Sequence, residues 1–115
     1  MKLTGRALRL SIFIGEGDTW RRRPVYAEIV HRAHKAGLAG ATVVRGIEGY
    51  AASSAIHTGH LVPRGDHLPL VIVIVDAERP IREFLLQLDE LQLSGLVTLD
   101  EVEVVRYVDN DRDGE

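Results

Sequence analysis

The sequence contains no cysteine, which excludes disulfide bonds, zinc sites built on thiolates and cysteine nucleophiles. Its first residues show no apolar stretch of the kind found in secretory signal peptides. The longest apolar run, residues 68–75, is much shorter than a membrane span. The net charge of −3 is small and does not indicate a nucleic-acid-binding surface. We therefore expect a cytoplasmic protein that neither binds nucleic acid nor inserts into a membrane.

At 115 residues, the chain has room for a single domain with one hydrophobic core. Apolar residues at every second position predict strands, and apolar residues three or four positions apart predict helices. In chain order, the patterns predict a strand over 7–14, a helix after Pro24 that Gly37 ends, a strand over 41–47, a strand over 70–75, a helix with Asp76 as its N-cap that Gly95 ends, and a strand within 97–107. Residues 49–68 show no sustained period, and a loop of this length in a compact domain is usually functional or disordered.

The order of these elements is strand, helix, strand, long loop, strand, helix, strand. This order predicts an α+β fold of the ferredoxin-like type, a four-stranded antiparallel sheet with two helices on one face. We expect residues 1–108 to form this single domain and the polar residues 109–115 to be disordered.

The third predicted strand, residues 70–75, consists of six apolar residues without alternation. Such a run is typical of a strand that is buried on both faces. Two helices can cover only one face of the sheet, so we expect another subunit to cover the second face.

Five segments of the sequence resemble the bacterial family known as domain of unknown function 190, a branch of the PII-like superfamily. The resemblance extends from about Leu8 to Tyr107. The segments are Gly-Glu-Gly-Asp at 15–18, Pro-Val-Tyr at 24–26, residues 37–50, Ser-Ala-Ile-His-Thr at 54–58, and residues 95–100. The resemblance implies a homotrimer of ferredoxin-like subunits whose sheets face inward, with a mobile T-loop over residues 49–68.

The same resemblance implies a signalling role rather than an enzyme. PII relatives bind adenine nucleotides between subunits and signal to transporters or enzymes through the T-loop. It therefore implies a small anionic metabolite as the ligand at clefts between subunits, with an adenine nucleotide as the first candidate. It also implies a membrane transporter or an enzyme as the partner of loop 49–68. PII proteins hold nucleotide phosphate partly with a loop before the last strand that contains glycine and lysine. Residues 92–96 occupy that place without a cation, so a phosphate site must be built differently.

The first candidate site is the segment where the second strand meets the long loop. Arg45 offers a bidentate donor for a phosphate or carboxylate group. Gly46 and Gly49 allow backbone N–H groups to approach an anion, and Glu48 can accept a hydrogen bond from a ribose or a base. The alternative is a bulge with an exposed salt bridge.

A second candidate segment follows the first strand. Because that strand is central in a ferredoxin-like sheet, we expect Gly15, Glu16 and Asp18 to line the same cleft as Arg45. Two carboxylates repel anions, so this segment is not a phosphate loop. The alternative is a simple turn.

In the long loop, Ser53, Ser54, His57 and His60 are predicted to contact a partner. One alternative is a trimer of the same fold that binds zinc or copper through the loop histidines, although their irregular spacing fits no tight metal site. Another is a scaffold or partner subunit of a membrane transporter without a small ligand. The loop serines lack a nucleophile elbow, so we predict no catalytic residues. We also predict no resident cofactor and no metal ligands.

Overall fold

A computed structural model, which describes residues 2–52 and 68–110, shows a four-stranded sheet, a short hairpin and two helices. The elements are, in chain order, β1 (Lys2–Gly15), β2 (Thr19–Trp20), β3 (Arg23–Pro24), α1 (Val25–Lys35), β4 (Thr42–Arg45), β5 (Pro69–Asp76), α2 (Glu78–Leu91) and β6 (Leu96–Val108). The main sheet has the order β4-β5-β1-β6, and all neighbours are antiparallel. The predicted α+β ferredoxin-like fold is confirmed. Neither helix of the described part is long and apolar enough to span a bilayer.

The hydrophobic core lies between one face of the sheet and both helices. In the register of β1 with β5, Leu10 lies opposite Ile74 and Ile12 opposite Ile72, so these side chains point to the same face. The helices contribute their apolar stripes to this same cluster. The fully buried large residues are Leu10, Ile12, Ile14, Ile29, Ile72, Ile74, Ile81 and Phe84.

The other face of the sheet is apolar and partly exposed. Buried and half-buried residues alternate along β5. The sequence predicted burial on both faces of this strand, and within a single chain only one face is buried. Phe13 is 41% exposed, although it lies on the central strand β1 and pairs with β5 on one side and β6 on the other. We call this surface the open face; it includes Phe13, Val44, Val71, Val73 and Leu96, which the pairing registers place on one side.

The sequence indicated Asp76 as the N-cap of the second helix, but the structure does not place it there. The N-cap of α2 is Ala77, and no side chain caps it. Asp76 is only 2% exposed, and its carboxylate accepts hydrogen bonds from the Ala39 N–H at 2.9 Å and the Ala77 N–H at 2.7 Å. It therefore fastens the loop after α1 to the end of β5.

The hairpin of β2 and β3 was not predicted. Its two turn residues, Arg21 and Arg22, have φ values of 51° and 68°, a conformation that favours Asn and Gly. The guanidinium of Arg21 lies 4.5 Å from the centre of the Trp20 ring, and that of Arg32 lies 5.0 Å from it. The first cation–π contact lies within the hairpin, and the second holds the hairpin against α1, because Arg32 belongs to that helix.

Arg32 also joins the two helices. Its Nε donates to Glu28 at 2.8 Å and its Nη2 donates to Glu90 at 2.9 Å. The hydrogen bond from Arg32 lowers the pKa of Glu28 from its usual value of 4.5. The pairing therefore contributes stability above pH 4.5, and this contribution is lost as the pH falls through the lowered pKa.

We expect the Glu28→Gln variant to melt at a lower temperature than the wild type at pH 7, and the two melting temperatures to converge in acid. Thermal unfolding between pH 7 and pH 3 measures this. Glu83→Gln is the matched control, because it removes an exposed carboxylate that pairs with Arg79 within α2. A Glu28→Gln deficit that stays constant in acid would contradict the assignment.

Candidate functional site

Both ends of the long loop attach to one end of the main sheet. β1 ends there at Gly15 and β4 ends there at Arg45, while β5 begins there at Pro69 and β6 at Leu96. The four ends meet because every pair of neighbouring strands is antiparallel. We call this region the loop end of the sheet.

Arg45 and Glu16 form an ion pair at the loop end. Arg45 Nη2 donates to Glu16 Oε2 across the start of β5, which lies between β4 and β1. The Arg45 side chain is 58% exposed, whereas that of Glu16 is 17% exposed. The second carboxylate oxygen, Glu16 Oε1, is buried and has no hydrogen-bond partner in the described part of the chain. This ion pair brings the two predicted segments into contact, and the ligand cleft that they were expected to line stays a prediction.

Two main-chain hydrogen bonds fasten the start of β5 at the same place. Glu16 N–H donates to the Leu68 carbonyl at 2.9 Å, and Gly46 N–H donates to the Pro69 carbonyl at 2.8 Å. A Cβ at position 46 would lie 2.9 Å from Pro69 Cγ. The structure thus gives Gly46 a role that the sequence did not suggest: it admits the Pro69 ring, and its N–H is used by Pro69 rather than offered to an anion.

Gly49 also lies against Pro69, and its φ of 132° favours glycine. The long loop therefore leaves and re-enters the sheet through a junction built from Gly46, Gly49 and Pro69.

Gly15 and Asp18 form the turn that leads from β1 to the hairpin. Gly15 N–H donates to Asp18 Oδ2 at 3.0 Å, and Asp18 N–H donates to the Gly15 carbonyl at 3.2 Å. The Asp18 carbonyl also accepts the Val25 N–H at 2.9 Å. In the structure these two residues form a simple turn, which was the alternative given for this segment. Their contact with a ligand stays a prediction.

For the remaining candidate residues, the structure describes no contact with the ion pair of Arg45 and Glu16. Glu48 is exposed and forms no hydrogen bond or ion pair with the described residues. Ser53, Ser54, His57 and His60 lie outside the described residues, so their role in partner binding stays a prediction. Within 2–52 and 68–110, no group of three or more metal-ligating side chains is arranged to hold a metal ion.

Gly95 has a packing role at the loop end that the sequence did not reveal. It lies between α2 and β6, and a Cβ there would be 2.2 Å from the Phe13 carbonyl oxygen. The chain therefore passes directly against the backbone of β1, two residues before the loop end. In the sequence Gly95 is interpreted as a helix stop and as the first residue of the family-like segment 95–100, and neither interpretation indicates this close packing.

Sequence comparisons identify close relatives. The family model DUF190, described as "Uncharacterized ACR, COG1993", matches residues 7–104. The chain is 38% identical over 96 residues to a UPF0166 protein of Aquifex aeolicus, covering 84% of this chain and 90% of that protein. It is 29% identical over 102 residues to a UPF0166 protein of Methanocaldococcus jannaschii, covering 88% and 94%.

Solved structures with the same fold are forms of CPII, a nitrogen regulatory PII-like protein from Thiomonas intermedia K12. Apo CPII superposes with a TM-score of 0.58 at 16% identity, over 94% of this chain and 100% of that one. CPII bound to ADP, AMP and bicarbonate superposes with a TM-score of 0.55 at 21% identity, over 90% and 91%. The chain thus has the fold of PII-like proteins, and it belongs to the DUF190 family that its motifs had indicated.

Proposed function

We propose that this protein is a PII-like homotrimeric regulator that binds an adenine nucleotide at the loop end of its sheet and signals through loop 49–68. The observation that carries the proposal is the position of Arg45, a largely exposed cation at the junction of the loop with the sheet. The CPII structures, one with ADP, AMP and bicarbonate bound, support the choice of ligand. The role is regulatory, and no catalytic step is part of it.

Arg45 is the side chain at the loop end that is best suited to donate hydrogen bonds to a phosphate. Among residues 15–18, 45–52, 68–69 and 92–96, it is the only cation. The last of these segments takes the place of the PII phosphate loop, and it offers no cation between the end of α2 and the start of β6. A guanidinium can donate two parallel hydrogen bonds to a phosphate, so one arginine can replace a lysine there.

The open face supports the trimer. Its apolar side chains lie on neighbouring strands, and an exposed apolar patch of this kind is typical of a protein interface. Its identical patch on each subunit would be buried when three sheets face one another around a common axis. Covering this face also accounts for the absence of polar alternation in β5.

The loop is the proposed route of the signal because both of its ends meet the ligand site. A phosphate on Arg45 would lie next to residues 46–49, which begin the loop. A ligand biases a conformational equilibrium only when it interacts differently with the two states. The contact with the loop's first residues provides such a difference, and the tip is then offered to a transporter or enzyme, or withheld from it.

Replacing Arg45 by alanine is expected to weaken ADP binding by about 1.5–3 kcal/mol, the usual value of a charge-assisted hydrogen bond, and to leave the trimer intact. Isothermal titration calorimetry measures the affinity, and light scattering measures the mass. The matched control is Arg82→Ala, which removes an exposed arginine paired with Glu78 on α2.

Equal ADP affinity in wild type and Arg45→Ala would place the site elsewhere. Binding of Zn²⁺ or Cu²⁺ without any binding of ADP, AMP or ATP would replace the proposal with the metal-binding alternative.

A further inference from the structure

Arg45 already has an anionic partner within its own chain. We propose that Glu16 is an internal competitor for Arg45: its carboxylate holds the guanidinium in the empty protein, and a ligand phosphate must displace it to bind. The inference rests on the proposed function, because it assigns a mechanism to the same site.

The pairing is suited to displacement. Only one carboxylate oxygen of Glu16 contacts Arg45, while the other is buried without a hydrogen-bond partner in the described part. An unsatisfied buried acceptor makes the paired position less favourable than a fully bonded one. A phosphate carries more charge and more acceptor oxygens than a carboxylate, so it can take over the guanidinium.

The two anions cannot share Arg45 without cost. If Glu16 stayed in place, its negative charge would lie beside the phosphate and repel it. Rotation of the Glu16 side chain avoids this repulsion and needs no movement of the strand. The hydrogen bond from the Glu16 N–H to the Leu68 carbonyl is made by the main chain, so the rotation itself does not require that bond to break.

Displacement also changes the loop end. The ion pair ties the end of β1 to the end of β4 across β5, in parallel with the two main-chain hydrogen bonds to Leu68 and Pro69. When the ion pair is broken, the loop ends keep those hydrogen bonds and the strand pairings of Gly15 with Pro69 and of Arg45 with Leu70, but they lose the side-chain tie. Phosphate binding and loosening of the loop end are therefore one event, with Glu16 as the connecting group.

The first test uses Glu16→Gln, which keeps the shape and removes the charge. We expect it to bind ADP about fivefold more tightly than the wild type, which corresponds to the removal of a partly exposed ion pair. The matched control is Glu83→Gln, which makes the same change at the exposed pair with Arg79 and should leave the affinity unchanged. Weaker or equal ADP binding by Glu16→Gln would overturn the proposal, because a residue that orients Arg45 or contacts the ligand would behave in that way.

The second test is hydrogen exchange of the amides of residues 16 and 46, which donate to Leu68 and Pro69. Without ligand, both should exchange about fivefold faster in Glu16→Gln than in the wild type. Arg45→Ala should show the same increase, since it removes the same tie. In the wild type ADP should speed this exchange, whereas in Glu16→Gln it should have no further effect. Unchanged exchange in both ligand-free variants would overturn the proposal.

The outcomes separate the two proposals. If the wild type binds neither ADP nor inorganic phosphate, the proposed function fails. The exchange of the ligand-free variants then still shows whether Glu16 and Arg45 hold the loop end closed. If the wild type binds ADP through Arg45 and Glu16→Gln does not bind more tightly, only the role of Glu16 fails.

Discussion

Gly95→Ala is expected to destabilise the protein by about 3 kcal/mol, at the upper end of the usual cost of overpacking. The new methyl group would lie 2.2 Å from the Phe13 carbonyl oxygen. This neighbour belongs to the backbone of the central strand, so it cannot rotate away as a side chain would. Either the start of β6 or the end of β1 must move, and both belong to the loop end.

The matched control is Gly40→Ala, because in the described part of the chain no atom beyond its two sequence neighbours lies within 4 Å of the Cβ position there. Gly40→Ala should be neutral or slightly stabilising. Urea unfolding at one fixed protein concentration compares the variants, since the stability of an oligomer depends on concentration. Equal midpoints for the two variants would show that β6 does not pass against β1 as closely as described.

If the proposed trimer forms, Val73→Asp is expected to convert it into monomers. Val73 lies on β5 at the centre of the open face, where it pairs with Ser11 on one side and Thr42 on the other. A carboxylate there would be buried without a partner in each of three subunits, which is far more costly than the loss of the valine. Light scattering should show about 38 kDa for the wild type, three chains of 12.7 kDa, and a single chain for the variant.

Leu86→Asp is the control for this substitution. Leu86 is 71% exposed on α2, in the helix layer on the opposite side of the sheet, so the trimer should persist. Circular dichroism shows whether each variant is folded. A wild type that is monomeric at micromolar concentration, or a trimeric Val73→Asp variant, would contradict the proposed assembly.

The fold was predictable from the sequence because its main strands and helices have clear apolar periods. Leu8, Leu10 and Ile12 alternate along β1, and each is buried in the core. The start of β1 was missed for the opposite reason. Lys2, Thr4 and Arg6 give no apolar pattern, and this part of the strand is held by its pairing with β6.

Local signals failed where tertiary contacts decide the conformation. Asp76 has the residue type and position of an N-cap, but its carboxylate is used by Ala39 of a distant loop. Arg21 and Arg22 have no turn signal, although they form the turn of a hairpin whose Trp20 packs against arginines. Neither contact could be seen in a short window of sequence.

The candidate site was predictable as a location but not as an arrangement. Strand order alone brings Glu16 to the same end of the sheet as Arg45. That their side chains pair, and that Pro69 takes the N–H of Gly46, depends on atomic packing. Gly46 was one of the glycines that suggested an anion-binding backbone. The structure explains this glycine by the Pro69 ring, which leaves no room for a side chain.

β5 joins two surfaces that are separate in the single chain. Its first residue, Pro69, belongs to the loop end, and Val71 and Val73 of the same strand belong to the open face. A strand is stiff along its length, so a displacement of Pro69 reaches the open face within two residues. In the proposed trimer that face would touch the neighbouring sheets, and the three proposed nucleotide sites would then be energetically coupled. Their occupation would be cooperative, and the regulator would respond to ligand concentration as one unit rather than as three independent subunits.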